Sequence, residues 1–443
     1  MRSWACAFKL AQKRPAPRLS PPSLQKAGEN LNSGPRLNLN HKMKRSKDSI
    51  GQVQTRFFEF CDSVNPMRLQ CGTVLERFTL AYEVYGKMNA ARSNVILLFH
   101  AMTGSQHAAG FNPEVPGLDG RWTEEMHEGW WEGFIGPGKA LDTRKYCIVC
   151  ANYLGGCYGS TGPASIDPAT GKPWGRTFPV LRVSDIVDSQ VQLLDHLGVN
   201  QLHAIVGSSL GGFLSLSLAT RYPERAGIVI PIGSGVETTI LQRIMNFEQI
   251  TAIEADPNFR GGDHYEGPRP ETGLALARRI AHKTFISLEA VKQRARDVVV
   301  SEAPPFGWYA MNSPVESYML HQGVKFVSRF DANSYLRILD AWQWFNLLAE
   351  SGAASYTELF SRCRDQEFLV FSIDSDAAFP PAEQAKLVKA LKAAHVPVIW
   401  ITVHSDKGHD SFLIEPHLFA PHVSQALHQR KPARRKRAST STN

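Results

Sequence analysis

Nowhere in the sequence do about 18 apolar residues run together without a charge, the length a membrane-spanning helix needs. The apolar stretch Asn94–Phe99 is far too short, so no span is predicted. No segment repeats itself at a fixed period. Cysteine is sparse and odd in number, with seven in 443 residues, and no paired CxxC sets occur. Cys147 and Cys150 have CxxC spacing but lie in the apolar run Tyr146–Ala151, which reads as a strand. Their thiols then face opposite sides and do not share a metal. Reduced, buried, structural cysteines in a cytoplasmic protein are expected, and no metal is implied. The Gly-rich segment Gly155–Gly162 lacks the Lys-Ser/Thr of a phosphate-binding loop, so no nucleotide site is read there.

The net charge of +8 suggests a polyanion partner until its placement is considered. Residues 1–49 hold 11 Lys/Arg against 2 Asp/Glu, and residues 430–443 hold 6 against none. Without those tails, 32 basic residues face 39 acidic ones. The basicity is terminal, and nucleic acid is not the expected partner of the body. Residues 1–50 read as a disordered basic extension, Arg-rich and acid-poor like a transit peptide but without the apolar core of a secretory signal. Residues 430–443 read as a second disordered basic tail.

Between the tails the hydrophobic pattern alternates. Phe57–Phe60 and Glu76–Tyr85 read as a leading antiparallel hairpin. Asn94–His100, Tyr146–Ala151, Gln201–Gly207 and Gly227–Ile232 are short apolar runs suited to buried parallel strands. Asp185–Leu197, with Gly198 as C-cap, and Gly212–Arg221 have helical character. From Thr238 to about Glu350 the pattern is helical with no clear strand. Phe368–Ser372 restores a strand, followed by a helix at Ala382–Ala394 and a last strand at Val396–Val403. The prediction is an α/β chain with a doubly wound, mostly parallel sheet, its core in residues 51–236 and 351–429 and a helical lid inserted at 237–350.

Gly207-Ser208-Ser209-Leu210-Gly211 matches G-x-S-x-G, a weak pattern alone but a strong one between an apolar strand and a small-residue helix. That context is the nucleophile elbow of the α/β-hydrolase fold, in which the serine sits on a strained turn and flanking side chains would collide. A serine hydroxyl needs a base, and the base needs an orienting acid. The fold's chain order is serine, acid, histidine. Phe368–Ser372 runs into Asp374 and Asp376, and the last strand runs into Gly408-His409-Asp410. Ser209 and His409 are therefore the candidate nucleophile and base, and Asp374 and Asp376 remain alternative acids. His100–Gly104 follows the first buried strand, where the fold places an oxyanion donor. The backbone N–H groups of Met102 and Leu210 are the candidates.

These residues carry a resemblance. The chain resembles the homoserine O-acyltransferases of the α/β-hydrolase superfamily, the homoserine O-acetyltransferase type in particular, from about Phe57 to about Leu427. The likeness rests on blocks such as HAMTGSQHAAG at 100–110, NYLGGCYGSTGPASIDPATGKPWG at 152–175, DPNFRGGDHYEG at 256–267, RFDANSY at 329–335 and GHDSFL at 408–413. It implies ping-pong transfer of an acyl group from acyl-CoA to an amino-acid hydroxyl, with no other cofactor. It also implies Asp376 as the triad acid, through S-D-x-x-F/Y-P-P at 375–381, and Arg278 and Asp410 as binders of the amino-acid acceptor. A cytoplasmic homodimer paired through the lid is implied as well. Ser208, Phe213–Leu216, Ala377-Ala378 and Phe285 depart from the family pattern and alter the pocket lining. A succinyl donor, a serine acceptor, or water as acceptor in an esterase or thioesterase are the alternatives on the same machinery.

Overall fold

The computed structural model describes residues 48–118, 120–296 and 307–429. Residues 1–47, the tail 430–443 and Cys6 lie outside the described residues, so the expectations for the tails fall there. Eight strands make the main sheet: β1 (Arg56–Cys61), β2 (Arg77–Tyr85), β3 (Val95–Phe99), β4 (Cys147–Ala151), β5 (Ala204–Ser208), β6 (Ile228–Ile232), β7 (Glu367–Ile373) and β8 (Val398–Val403). Their spatial order is β1-β2-β4-β3-β5-β6-β7-β8. β1, β2 and β4 pair antiparallel, and every later pairing is parallel. The doubly wound, mostly parallel sheet read from the sequence is the observed one.

The central strands are buried along their whole length because helices cover both faces. Leu97, Val149, Ile205 and Val229 join the core under helices α1 (Val183–His196) and α2 (Leu210–Arg221). Ile96, Leu98, Ile148, Val206 and Ile230 form the opposite core with Phe419, Val423 and Leu427. Cys147 belongs to the first core and Cys150 to the second, as strand parity requires. Burial of every thiol does not hold: Cys61 and Cys71 are exposed. Cys61 ends the edge strand β1 on its outward parity.

Where boundaries differ from the sequence reading, local hydrogen bonds explain it. α1 starts at Val183, because Asp185 is its capping residue: its carboxylate accepts from the Arg182 N–H at 2.7 Å. β8 starts at Val398, since the Val396 N–H donates back to Leu391 at 3.0 Å and Pro397 has no N–H to give. Two residue pairs, Met67–Arg68 and Val74–Leu75, add a small antiparallel ladder too short for any periodicity.

Between β6 and β7 the described residues contain no strand. They form α3 (Ile240–Glu254), α4 (Glu271–Phe285), α5 (Leu288–Ala295), α6 (Pro314–Val327), α7 (Ala332–Gln343) and the short helices Leu347–Ser351 and Tyr356–Ser361. The first turns of α3 have their polarity inside out, while Ile253 near its end is in the core. Gln242, Asn246 and Gln249 are buried, while Ile240, Leu241, Ile244 and Phe247 are exposed.

Candidate active site

Ser209 joins β5 to α2 at φ 57°, ψ −125°. A non-glycine residue held there stores on the order of 1–3 kcal/mol, which the surroundings must over-determine. They do so by close approach. A Cβ on Gly207 would lie 2.1 Å from the Gly211 carbonyl oxygen, and one on Gly211 would lie 2.3 Å from that of Phe99. The Ser209 N–H donates to Ile232 at 2.9 Å, tying the turn to β6. The hydroxyl is thus presented at the carboxyl end of the sheet, where α2 begins.

Asp376 and His409 meet in the loops after β7 and β8. The Asp376 Oδ2 and His409 Nδ1 are 2.6 Å apart, and Oδ1 accepts from the Phe379 N–H at 2.7 Å. Asp374 faces elsewhere: it pairs with exposed His404 at 2.8 Å and accepts from the Ser405 N–H. The His409 ring stacks on Phe379 at 5.3 Å and meets Phe412 edge-on at 5.5 Å. Burial in this apolar cage opposes its charge, but the Asp376 carboxylate, its hydrogen bond and the Asp410 charge outweigh that and raise the imidazole above 6.5. Nε2 has no hydrogen-bond partner among the described residues. The Ser209 hydroxyl therefore makes no hydrogen bond to it in this conformation, a common state of such pairs before substrate arrives.

Ser209, His409, Met102, Arg278 and Asp410 line one cavity of about 380 Å³. The N–H groups of Met102 and Leu210 donate to no acceptor among the described residues, and Leu210 is the first residue of α2, where N–H groups point outward. Arg278 on α4 makes no salt bridge with a described residue. Its guanidinium lies over the rings of Phe285 and Phe326, at 5.3 and 5.0 Å. Burial and then the charge of Arg329 lower its value, with Asp410 among the groups opposing. Asp410 itself is raised by burial, against the charges of His409 and Arg278. The Asp410 N–H donates to the Phe285 carbonyl at 2.8 Å, docking the histidine loop on the end of α4.

Several contributors escaped the sequence reading. Gly233 has φ +53°, and a Cβ there would stand 3.1 Å from Asp376 Oδ2 and 3.3 Å from His409 Nδ1. Arg329, inside a quoted block but given no role, reaches Tyr158 Oη at 2.9 Å and Glu125 at 3.4 Å on the cavity wall. His107 Nδ1 lies 2.8 Å from Glu83 Oε2, and its Nε2 lies 3.0 Å from the His127 carbonyl. The buried His107–Glu83 pair fastens the loop after β3 to β2. No sequence signal marks it, because the pair is made across strands.

Among the described residues, no group of three or more His, Cys, Asp or Glu is placed to hold a metal, and no helix is long and apolar enough to cross a membrane. Residues 94–416 match the alpha/beta hydrolase fold family, and the chain is a member of that class. A homoserine O-acetyltransferase of Solidesulfovibrio magneticus is 40% identical over 377 residues, covering 83% of this chain and 91% of that protein. A homoserine O-succinyltransferase of Acidithiobacillus ferrooxidans is 41% identical over 369 residues, covering 83% and 92%. The crystal structure of a homoserine O-acetyltransferase from Bacillus anthracis superposes with a TM-score of 0.74 at 26% identity, covering 86% of this chain and 99% of that one. The chain belongs to the homoserine O-acetyltransferase family.

Proposed function

We propose that the protein transfers an acetyl group from acetyl-CoA to the hydroxyl of L-homoserine through an acyl-serine intermediate. The observation that carries this reading is that His409, paired with Asp376, lines the same cavity as strained Ser209 and the guanidinium of Arg278. Ser209 Oγ attacks the thioester carbonyl while His409 Nε2 takes its proton. The tetrahedral oxyanion is held by the N–H groups of Met102 and Leu210. The C–S bond breaks, and the CoA sulfur leaves with the proton from His409. The homoserine hydroxyl then gives its proton to His409 and attacks the ester. The second tetrahedral species collapses to O-acetylhomoserine, returning the proton to Ser209.

Arg278 and Asp410 suit a zwitterionic acceptor: a guanidinium binds a carboxylate bidentately, and a carboxylate binds an ammonium. Homoserine supplies both groups beside its hydroxyl. The raised histidine also suits the role, because a base that must take and return a proton works best near ambient pH.

A homodimer paired through the helical insertion is part of the proposal. The exposed stripe Ile240, Leu241, Ile244 and Phe247 supports it, since an apolar helix face turned to water needs a cover. The exposed free thiols Cys61 and Cys71 support a reducing, cytoplasmic setting.

The test is CoA release by the purified protein from acetyl-CoA and succinyl-CoA, with and without L-homoserine or L-serine. Release from acetyl-CoA that requires homoserine is expected. Release only from succinyl-CoA, or only with serine, keeps the mechanism and reassigns the substrate. Release that ignores every acceptor makes the protein a thioesterase and refutes the transferase reading.

A further inference from the structure

Whether the Met102 N–H can hold an oxyanion depends on where one peptide plane points. The Ala101–Met102 peptide is trans and planar, so its carbonyl and its N–H point opposite ways. Fixing the Ala101 carbonyl therefore fixes the Met102 N–H. That carbonyl is held twice. The Gly104 N–H donates to it at 2.9 Å, closing a turn, and His100 Nδ1 lies 2.7 Å from the same oxygen. A carbonyl only accepts, so the His100 proton is on Nδ1.

His100 is itself placed with little freedom. It follows β3, whose register sets Phe99 beside Gly207 of the elbow strand. Its buried ring stacks on Tyr153, with centroids 3.8 Å apart, and the Tyr153 hydroxyl donates to the His100 carbonyl. A Cβ on Gly104 would stand 2.9 Å from the His100 Cβ and 3.1 Å from Nδ1, so a glycine leaves the ring its place over the turn. Burial pushes the imidazole down to about 4. The ring is thus neutral near neutral pH, and its single proton stays on Nδ1. Nε2 has no partner among the described residues. Ala101, Met102, Gly104 and Ser209 line the cavity, and His100 stands behind them.

We infer that His100 is a positioning residue of the oxyanion hole: its Nδ1–H fixes the Ala101 carbonyl and so aims the Met102 N–H at the cavity that Ser209 lines. The inference rests on the acyl-serine reading above. A donor on a carbonyl also polarises the peptide, which strengthens the N–H on its other side. Both effects act on the transition state, where charge gathers on the oxygen, and hardly on the bound ester. Acylation and deacylation each pass through an oxyanion, so losing the aim slows both steps together. The loss then falls on kcat and leaves KM for the acyl donor in place.

Two substitutions separate the donor from the ring. His100→Phe keeps a ring against Tyr153 and removes the donor. His100→Asn gives up the ring but sets an amide NH₂ where Nδ1 stood. Steady-state CoA release from acetyl-CoA with homoserine is measured from about pH 5 to about pH 9, beside a thermal melt. Acylation of Ser209 by p-nitrophenyl acetate, which needs neither CoA nor an acceptor, is measured in parallel. His100→Phe is expected to lower kcat ~10- to 100-fold, less than the loss of a whole oxyanion donor. Its KM for acetyl-CoA is expected within ~2-fold of the wild type, with the acid limb unmoved. His100→Asn is expected to keep kcat within ~3-fold despite a lower melting temperature, a split that packing alone does not produce. A Phe variant as active as the wild type overturns the inference. So does an Asn variant that loses as much as the Phe variant, a loss carried by KM, or a shifted acid limb. If acetyl-CoA and homoserine give no CoA release, the transferase reading fails, and the p-nitrophenyl acetate rates still decide the role of His100.

Discussion

Asp376→Asn exchanges a carboxylate oxygen for an amide at a position where both oxygens are in use. Oδ1 is held by the Phe379 N–H at 2.7 Å, and Oδ2 faces His409 Nδ1 at 2.6 Å. The asparagine keeps its carbonyl on Phe379 and turns its NH₂ toward His409. Nδ1 must then accept, and the ring proton moves to Nε2, the nitrogen that has to accept from Ser209. A base presenting the wrong tautomer loses about 10⁴ in rate, or about 5 kcal/mol of barrier at 1.36 kcal/mol per decade. A second effect follows from the charge. Burial opposes the imidazolium, and the Asp376 carboxylate is the chief influence outweighing it. Without that charge, burial weighs more and the imidazole value falls. The reaction uses the neutral ring, so activity is lost as pH drops through the His409 value. The acid limb of the kcat/KM profile is expected at lower pH in the variant than in the wild type. CoA release read with a thiol reagent from about pH 5 to about pH 9 measures both effects. An acid limb that stays in place or moves upward, or a rate loss under ~10-fold, refutes the account.

Gly233→Ala places a methyl carbon 3.1 Å from Asp376 Oδ2 at a φ of +53°. It is expected to cost about 1–2 kcal/mol of stability and to lower kcat ~10- to 100-fold by displacing the dyad, read from a thermal melt and steady-state rates. Arg278→Lys replaces a fork with a point charge, and KM for homoserine is expected to rise ~10-fold, more than KM for acetyl-CoA; equal rises would show that Arg278 does not select the acceptor. Ile244→Glu with Phe247→Glu puts two carboxylates into the exposed stripe of α3, and sedimentation is expected to shift from dimer to monomer; an unchanged species would remove α3 from the interface.

The parts of this architecture readable in the sequence are those set by local spacing. Strand–turn–helix at Ser209 is one such part, since its glycines are demanded by atoms within a few residues or on an adjacent strand. The choice between Asp374 and Asp376 was not readable from the residues, and the reason is geometric. Two positions apart, strand parity gives both carboxylates the same face. The strand, however, ends at Ile373, and the Asp376 N–H closes a turn onto Ile373 at 3.2 Å, re-aiming the second carboxylate while the first stays at the surface with His404. Gly233 was invisible for a different cause: its neighbours Asp376 and His409 are remote in the chain, and a lone glycine after a strand reads as an ordinary turn. α3 defeats the usual rule of apolar-inward faces over its first turns, because the inward amides of Gln242 and Gln249 bond the Ala378 and Met245 carbonyls while Ile240, Ile244 and Phe247 lie on the exposed side. Amphipathic periodicity alone points such a helix the wrong way round.

The position of the helical insertion also bears on how the chain folds. β6 and β7 are neighbours in the sheet, yet 134 residues separate Ile232 from Glu367. Relative to an ordinary crossover of about 20 residues, closing that loop costs about 1.7 kcal/mol more in chain entropy. Docking of β7 against β6 is therefore favoured when the inserted helices condense and shorten the gap. The elbow at Ser209 lies wholly on the early side of that event, and the acid and the base lie wholly on the late side. In refolding, helical content recovers before the capacity for acyl transfer, and a chain interrupted within the insertion carries a finished nucleophile turn with nothing to activate it.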